Sequence, residues 1–321
     1  MSVDEKPIVL AVARLSPLLV AQLEAGFDYH DRLHELDPAA FAALAPRIRG
    51  IAASGESKVP AALIAQLSAL EVISVMGVGY DGVDVAAAKA RGVVVTHTPD
   101  VLNDDVADLA IGLMLSASRQ LPAADRYVRA GLWDKGPMPL ARKMSGARLG
   151  LVGMGRIGQA IAHRALAFGM SVSYTTRTPR PELPYRHLPN AVALAEVSDF
   201  LVVITPGGAG TRHLVNAAVL KALGPKGILV NVARGSVVDE AALVDALEQG
   251  VIGGAGLDVF EAEPNVPERL RNLPHVVLAP HIGSATTQTR QAMADRAFAN
   301  LRAHFDSQPL PSAVPECLPG S

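Results

Sequence analysis

Short apolar runs alternate with amphipathic stretches along the first hundred residues. Four of the runs predict buried strands, and apolar residues at helical spacing between them predict helices. This β-α-β alternation is typical of a parallel sheet covered on both faces. The predicted strands are 7–13, 50–53, 72–76 and 93–96, and the predicted helices are 16–25, 61–67 and 85–91.

A break at Pro99 precedes a long helical pattern. The polar cluster that starts at Asn103 suits a helix N-terminus, and apolar residues then recur at helical spacing through Ser118. Residues 131–145 contain Pro137 and Pro139, so we expect an irregular, exposed excursion there.

The alternation resumes at Ala147. A second doubly wound unit follows from it, and the predicted fold class is α/β with two parallel-sheet domains. The predicted strands are 147–152, 171–175, 200–205, 227–232, 254–258 and 276–278, and the predicted helices are 156–168, 216–222, 240–250 and 286–305.

Composition supports a globular protein and excludes several classes. The 321 residues are half hydrophobic and 19% charged, and at roughly 150 residues per domain this length suggests two domains. With 29 Lys+Arg and 31 Asp+Glu, the net charge of −2 gives no support to nucleic-acid or membrane-surface binding. The lone Cys317 excludes an internal disulfide. No apolar stretch approaches the roughly 18 residues of a membrane span, and no basic segment opens a signal peptide, so we expect a cytoplasmic protein.

A glycine-rich loop lies between a predicted strand and a predicted helix. The strand that ends at Val152 runs into Gly153, Met154, Gly155, Arg156, Ile157 and Gly158. In this context the glycines permit a tight turn, a close approach of a pyrophosphate and tight helix–strand packing. The helix N-terminus then presents N–H groups to the anion. The loop therefore predicts a dinucleotide site.

The segment after the next strand indicates which dinucleotide binds. NAD-binding units usually carry an acidic residue there for the ribose 2′-OH. This chain instead has Thr176, Arg177 and Thr178, followed by Arg180. Guanidinium and hydroxyl groups suit a 2′-phosphate, so the sequence favours NADPH/NADP, with weaker binding of NADH/NAD.

Four ordered motifs resemble the D-isomer-specific 2-hydroxyacid dehydrogenases. They are the glycine loop, Asn231-Val232-Ala233-Arg234-Gly235, Gly256-Leu257-Asp258-Val259-Phe260-Glu261-Ala262-Glu263-Pro264 and Pro280-His281-Ile282-Gly283-Ser284. The segment 77–81 resembles the family's substrate-side loop, and Thr176-Arg177-Thr178 is similar to the NADPH-preferring glyoxylate/hydroxypyruvate reductase branch.

The resemblance implies two Rossmann-like domains with the active site in the cleft between them. Residues 1–99 and 286–321 would form a discontinuous substrate domain, and residues 100–285 the dinucleotide-binding domain. In the family, the long helix and the excursion around Trp133 form a two-fold interface, which implies a homodimer. By position, Met138 or Leu140 would reach the partner subunit's pocket.

Reduction of a 2-oxo acid needs an anion anchor and a proton donor beside the hydride donor. Arg234 follows an apolar strand, where open α/β sheets bind ligands, and its cation suits a 2-oxo acid. His281 is the candidate acid. The resemblance pairs it with Glu263, which keeps the protonated form available near neutrality. Formate dehydrogenases of the same superfamily have glutamine there, so Glu263 favours interconversion of oxo and hydroxy acids.

The resemblance extends to residues along the cofactor and the substrate. Asp258 would accept a hydrogen bond from the nicotinamide carboxamide, and Val78 and Gly79 would offer backbone N–H groups to the substrate carboxylate. The eight other histidines are interpreted as structural or exposed, and nothing groups them as a metal site. Further positions along the cofactor would be Thr205, Pro206, Val232, Ala233, Gly283 and Ser284.

The predicted function is NADPH-dependent reduction of small 2-oxo acids, namely glyoxylate and hydroxypyruvate, to D-2-hydroxy acids. One alternative is a reductase of larger 2-oxo acids, either aryl pyruvates or 2-ketoaldonates, because sequence does not fix the loops that limit substrate size. Another alternative, from a different class, is a dinucleotide-sensing scaffold protein.

Overall fold

A computed structural model describes residues 6–318, and within them the chain forms two compact units. One unit comprises residues 6–102 and 286–318, and the other comprises Asn103–Ala285.

The first unit is an α/β layer structure built on a parallel sheet. Its strands are β1 (Ile8–Ala11), β2 (Asp28–Asp31), β3 (Gly50–Ser54), β4 (Val72–Met76) and β5 (Val94–Thr96). Its first helices are α1 (Pro17–Gly26), α2 (Leu33–Leu36), α3 (Pro38–Leu44), α4 (Ala61–Gln66) and α5 (Val85–Ala90). Within the described residues, the five strands lie in the order β2-β1-β3-β4-β5, all parallel.

The second unit has the same architecture with a larger sheet. Its helices are α6 (Asn103–Arg119), α7 (Leu121–Arg129), α8 (Arg156–Ala167), α9 (Ala191–Glu196), α10 (Ala217–Leu223), α11 (Glu240–Glu248) and α12 (Glu268–Arg271). Its strands are β6 (Arg148–Val152), β7 (Ser171–Thr175), β8 (Arg186–His187), β9 (Phe200–Val203), β10 (Ile228–Asn231), β11 (Gly254–Leu257) and β12 (Val276–Leu278). The last helix, α13 (Thr287–Phe305), belongs to the first unit.

The seven strands described in the second unit are all parallel and lie in the order β12-β11-β10-β9-β6-β7-β8. From β6, the chain continues to β7 on one side, and β9 lies on the other. Open α/β sheets bind ligands at such a switch point, beyond the carboxyl ends of the strands. The fold class predicted from the sequence is confirmed. The carboxyl edge of this sheet is where a ligand site is expected.

Elements without an apolar signal were missed by the sequence pattern. The edge strand β2 reads Asp-Tyr-His-Asp and pairs only with β1, so it buries little apolar surface. The sequence pattern also missed the two-residue β8 and the amphipathic α7, because they too bury little apolar surface.

Helix α6 packs inside its own unit. Its apolar residues, including Leu113 and Met114, are buried, and the helix packs against α8, β10 and β11. Gly256 of β11 allows this approach, because a Cβ there would lie 2.9 Å from the Cβ of Leu113. The apolar face of α6 is therefore used to cover the sheet, and the exposed apolar side chains lie further along, on α7 and the excursion.

Within the described residues, no helix combines the length and the apolar character that a membrane span requires.

Candidate active site

The glycine loop joins β6 to α8 at the switch point, and its three glycines have different surroundings. Gly153 has a φ of +108°, and a Cβ there would lie 2.4 Å from the carbonyl oxygen of Ile204. At Gly158 a Cβ would lie 2.7 Å from the carbonyl oxygen of Gly153, so this glycine allows the helix to pack closely. Around Gly155 a Cβ would meet no described atom within 4 Å, so this side of the loop is open.

This geometry fits a dinucleotide. The exposed Gly155 caps the N-terminus of α8, whose first N–H groups have no acceptor within the helix. A pyrophosphate placed against Gly155 would meet these N–H groups and the positive end of the helix dipole. The residues that would hold it are those of the predicted loop, from Gly153 to Gly158.

The segment after β7 presents one exposed cation beside this loop. Thr176 Oγ1 donates to the carbonyl oxygen of Thr178 at 2.7 Å, which closes a tight turn around Arg177. Arg177 is exposed and forms no ion pair with any described residue. Arg180 is used differently, because its Nη1 donates to the carbonyl oxygen of Met154 at 2.9 Å and its Nε to Glu182 at 2.7 Å. Arg177 is thus the side chain suited to a 2′-phosphate.

The turn after β10 positions Arg234 through a buried asparagine. Asn231 is 1% exposed; its Oδ1 accepts from the N–H of Ala233 at 3.1 Å, and its Nδ2 donates to the carbonyl oxygen of Arg234 at 3.0 Å. Arg234 Nη1 donates to the carbonyl oxygen of Ala233 at 2.8 Å. A guanidinium carries five N–H donors, so this bond is compatible with binding an anion.

Asp258 anchors the loop that carries His281. Its carboxylate accepts from the N–H groups of Ile282 (2.7 Å) and Gly283 (2.8 Å), and its carbonyl oxygen accepts from the N–H of His281 (2.9 Å). Burial raises the pKa of Asp258 above its ordinary value, against the effect of these two donors. The three bonds hold His281 in the left-handed region, with a φ of 53°, which costs a non-glycine residue about 1–2 kcal/mol.

Glu263 connects the loop after β11 to His281. Its Oε2 lies 2.8 Å from His281 Nδ1, and its Oε1 accepts from the N–H of Phe260 at 2.9 Å. The side chains of Glu263 and His281 are 24% and 30% exposed, so the pair is sheltered yet within reach of a ligand. Since Nδ1 is paired with the carboxylate, proton transfer to a substrate is directed to Nε2.

The remaining sequence-predicted residues of this unit lie at the same carboxyl edge. Thr205 and Pro206 follow β9, the buried Val232 and Ala233 follow β10, and Gly283 and Ser284 follow His281.

Val78 and Gly79 belong to the first unit and follow β4. Their N–H groups donate to no acceptor among the described residues, as an anion-binding turn requires. Gly77 packs against Gly55, where a Cβ would lie 2.9 Å from the Cα of Gly55.

Two positions of the site received no role from the sequence. Asn231 orders the Arg234 turn, as described above. Gly235 lies against the loop that carries Glu263, because a Cβ at Gly235 would lie 1.9 Å from the carbonyl carbon of Phe260 and 2.4 Å from the nitrogen of Glu261. Both residues stand in a quoted motif, but their function depends on contacts between loops that follow different strands.

A protein-family model identifies the family to which this fold belongs. The family model described as "D-isomer specific 2-hydroxyacid dehydrogenase, NAD binding domain" matches residues 111–283, more than half of the chain. The chain belongs to the D-isomer-specific 2-hydroxyacid dehydrogenases.

Relatives within this family cover nearly all of the chain. A glyoxylate/hydroxypyruvate reductase A of Arabidopsis thaliana is 49% identical over 83% of this chain and 85% of its own. A hydroxyphenylpyruvate reductase of Plectranthus scutellarioides is 46% identical over 95% of this chain and 98% of its own. The crystal structure of an NADPH-dependent glyoxylate/hydroxypyruvate reductase of Sinorhizobium meliloti, in complex with NADP and malonate, is 48% identical, with a TM-score of 0.91 and 98% of both chains covered.

We predict that Gly235→Ala lowers the turnover of this dehydrogenase by roughly 10- to 100-fold, because the added methyl group must displace the Phe260–Glu261 peptide and with it Glu263. Steady-state kinetics measures the loss, and circular dichroism verifies the fold. Gly210→Ala is the matched control, since a Cβ there meets nothing within 4 Å. Equal turnover in the two variants would show that the close contact does not position the site.

Proposed function

We propose that this 2-hydroxyacid dehydrogenase reduces small 2-oxo acids, namely glyoxylate and hydroxypyruvate, to D-2-hydroxy acids with NADPH. The observation that carries the proposal is the distance of 2.8 Å between Glu263 Oε2 and His281 Nδ1. These two residues follow β11 and β12, next to the Arg234 turn that follows β10, and all three lie on the same edge of the sheet as the glycine loop. Reductases of these two substrates among the relatives support the choice of substrate class.

When bound, NADPH would supply the hydride for the carbonyl carbon of the substrate. The residues from Gly153 to Gly158 would hold its pyrophosphate, and Thr176, Arg177 and Thr178 would receive its 2′-phosphate. Thr205, Pro206, Val232, Ala233, Gly283 and Ser284 would lie along it, and Asp258 would accept a hydrogen bond from its carboxamide. The S. meliloti relative, whose structure holds NADP, supports this assignment.

Arg234 binds the 2-oxo acid in this proposal. Its guanidinium attracts the carboxylate and polarises the carbonyl oxygen, on which negative charge develops as the hydride arrives. That Val78 and Gly79 donate N–H groups to the carboxylate stays a prediction; the lack of other acceptors for these groups supports it.

His281 acts as the general acid. Its Nε2 proton moves to the carbonyl oxygen while the hydride adds to the carbon, so the product is a neutral hydroxyl group rather than an alkoxide. Glu263 stabilises the imidazolium that exists before this transfer and fixes the orientation of the ring. The neutral imidazole then regains a proton from solvent.

A second candidate is reduction of larger 2-oxo acids, which the hydroxyphenylpyruvate reductase among the relatives favours. A panel of glyoxylate, hydroxypyruvate, phenylpyruvate and 2-ketogluconate, each with NADPH and NADH, separates the two. We expect the highest kcat/KM for the two small acids with NADPH. A preference for phenylpyruvate or 2-ketogluconate supports the alternative, and NADPH binding without reduction of any substrate supports a dinucleotide-sensing scaffold.

We predict that Arg177→Ala weakens NADPH binding by roughly ten- to over a hundredfold and leaves NADH binding nearly unchanged, because a charge-assisted phosphate contact is worth about 1.5–3 kcal/mol. Fluorescence titration with both cofactors measures the effect. Arg186→Ala, which removes an exposed arginine of β8, is the control. Equal loss for NADPH and NADH would remove the 2′-phosphate assignment.

We predict that His281→Ala lowers turnover by about 10²–10⁴-fold while NADPH affinity stays nearly intact, since a general acid acts only in the chemical step. Glu263→Gln should move the pH profile of reduction toward lower pH, because the protonated imidazole loses the carboxylate that stabilises it. Initial rates between pH 5 and 9 give the profile. An unchanged profile in Glu263→Gln would show that this carboxylate does not tune the acid.

We further propose a cytoplasmic homodimer. Large apolar side chains are exposed on α7 and in the excursion that follows it, including Trp133 at 68% and Leu140 at 100%. Exposed apolar surface of this kind favours contact with another chain. The others in this group are Leu121, Val128 and Leu132.

We predict a solution mass of about twice the 33.5 kDa of one chain at micromolar concentration, measured by light scattering. If Met138 reaches the partner subunit's pocket, Met138→Ala should raise the rate with phenylpyruvate relative to glyoxylate and spare NADPH binding. Leu140→Ala tests the neighbouring position. A mass of one chain contradicts the dimer, and unchanged relative rates in both variants remove the cross-subunit contact.

A further inference from the structure

A second histidine–carboxylate pair lies next to the loop that carries Glu263. His213 Nε2 forms a short contact with Glu261 Oε1, and Arg212 Nη2 lies 3.8 Å from the same oxygen. The residues His213, Glu240 and Glu261 are called the Glu261 cluster below. The sequence alone predicts that His213 is structural or exposed, and its partner Glu261 stands 48 positions away along the chain.

Glu261 is held at its backbone as well as at its side chain. Its N–H donates to Glu240 Oε2 at 3.2 Å, and the preceding N–H, that of Phe260, donates to Glu263 Oε1 at 2.9 Å. Two carboxylates from different elements thus take two successive N–H groups of one turn. Burial raises the pKa of Glu240, the Glu261 N–H opposes this, and the charges of Glu261 and Glu263 raise it further.

The cluster itself is fixed to the loop after β10. The N–H of His213 donates to the carbonyl oxygen of Ser236 at 2.9 Å, and His213 has a left-handed φ of 50°. Glu240 opens α11, whose N-cap residue Asp239 lies 4.0 Å from His213 Nδ1. Loops after three neighbouring strands, β9, β10 and β11, therefore meet at Glu261.

We propose that His213 and Glu240 are positioning residues for the reduction: they hold Glu261 by its side chain and by its N–H, and thereby fix the turn from Phe260 to Glu263 from which Glu263 reaches His281. Neither residue touches His281. This inference rests on the proposed function of Glu263. A purely structural pair would affect the stability of the fold, whereas positioning residues also affect the titration of His281.

Histidine side-chain NMR of the full chain tests the proposal without requiring turnover. The His281 peak is assigned as the one lost in His281→Gln. Its titration midpoint should fall in Glu263→Gln, and it should also fall in His213→Ala and in Glu240→Ala. The other charged groups of this unit near the Glu261 cluster and His281 are Arg212, Asp239, Asp258 and Glu263, and all remain in these two variants. Glu240→Gln keeps an acceptor oxygen and should restore the wild-type midpoint.

The matched control is His304→Ala, which removes a histidine–glutamate pair of the other unit, with His304 Nε2 3.1 Å from Glu71 Oε2. It should leave the midpoint of His281 unchanged. Should His213→Ala not fold, Glu240→Ala tests the same turn from its backbone side. A midpoint that moves in Glu263→Gln but stays at the wild-type value in His213→Ala and Glu240→Ala overturns the proposal.

Kinetics separates this proposal from the proposed function. We expect kcat for glyoxylate to fall roughly tenfold in His213→Ala, with little change in the affinity for NADPH, and to fall far less when the same change is made in the Glu263→Gln background. Equal losses in both backgrounds would indicate a role unrelated to Glu263 and would contradict the proposal. An inactive wild-type chain whose His281 midpoint still responds to His213→Ala would contradict the proposed function alone.

Discussion

The hydrogen bond between Glu263 and His281 depends on two loops that follow the neighbouring parallel strands β11 and β12. Asp258, buried at the end of β11, takes the N–H groups of Ile282 and Gly283 and so holds the second loop against the first. A buried carboxylate is costly unless its oxygens are satisfied. The cost is met here by bonds that also place the candidate acid, so fold stability and the geometry of the site rest on the same residues.

Backbone contacts that exclude side chains bring the other parts of the site to this edge. Gly235 lets the Arg234 turn lie directly on the Phe260–Glu261 peptide, and Gly153 lets the cofactor loop lie on Ile204. Each contact joins loops after adjacent strands, and neither tolerates a methyl group without movement. Main-chain packing thereby holds Arg234, the Glu263–His281 pair and the N-terminus of α8 in place. Such packing varies little with side-chain motion.

The sequence predicted most strands of both sheets, because buried parallel strands are nearly continuous apolar runs, and it indicated the glycine loop, because such loops have a defined context. It missed β2, whose residues are polar, and the two-residue β8. The contact between His213 and Glu261 could not be predicted from the sequence for another reason. It joins loops after β9 and β11, and no local pattern shows that two such loops meet across β10.

In the proposed reaction, a hydride is transferred to the carbonyl carbon of a 2-oxo acid at the site around His281, and the product is a D-2-hydroxy acid. A single turnover of hydroxypyruvate with NADPH that carries deuterium at the transferred position tests it most directly, with the product analysed by NMR and chiral chromatography. We expect D-glycerate with deuterium at C2. A product without deuterium at C2, a product of the L configuration, or no product at all would contradict it.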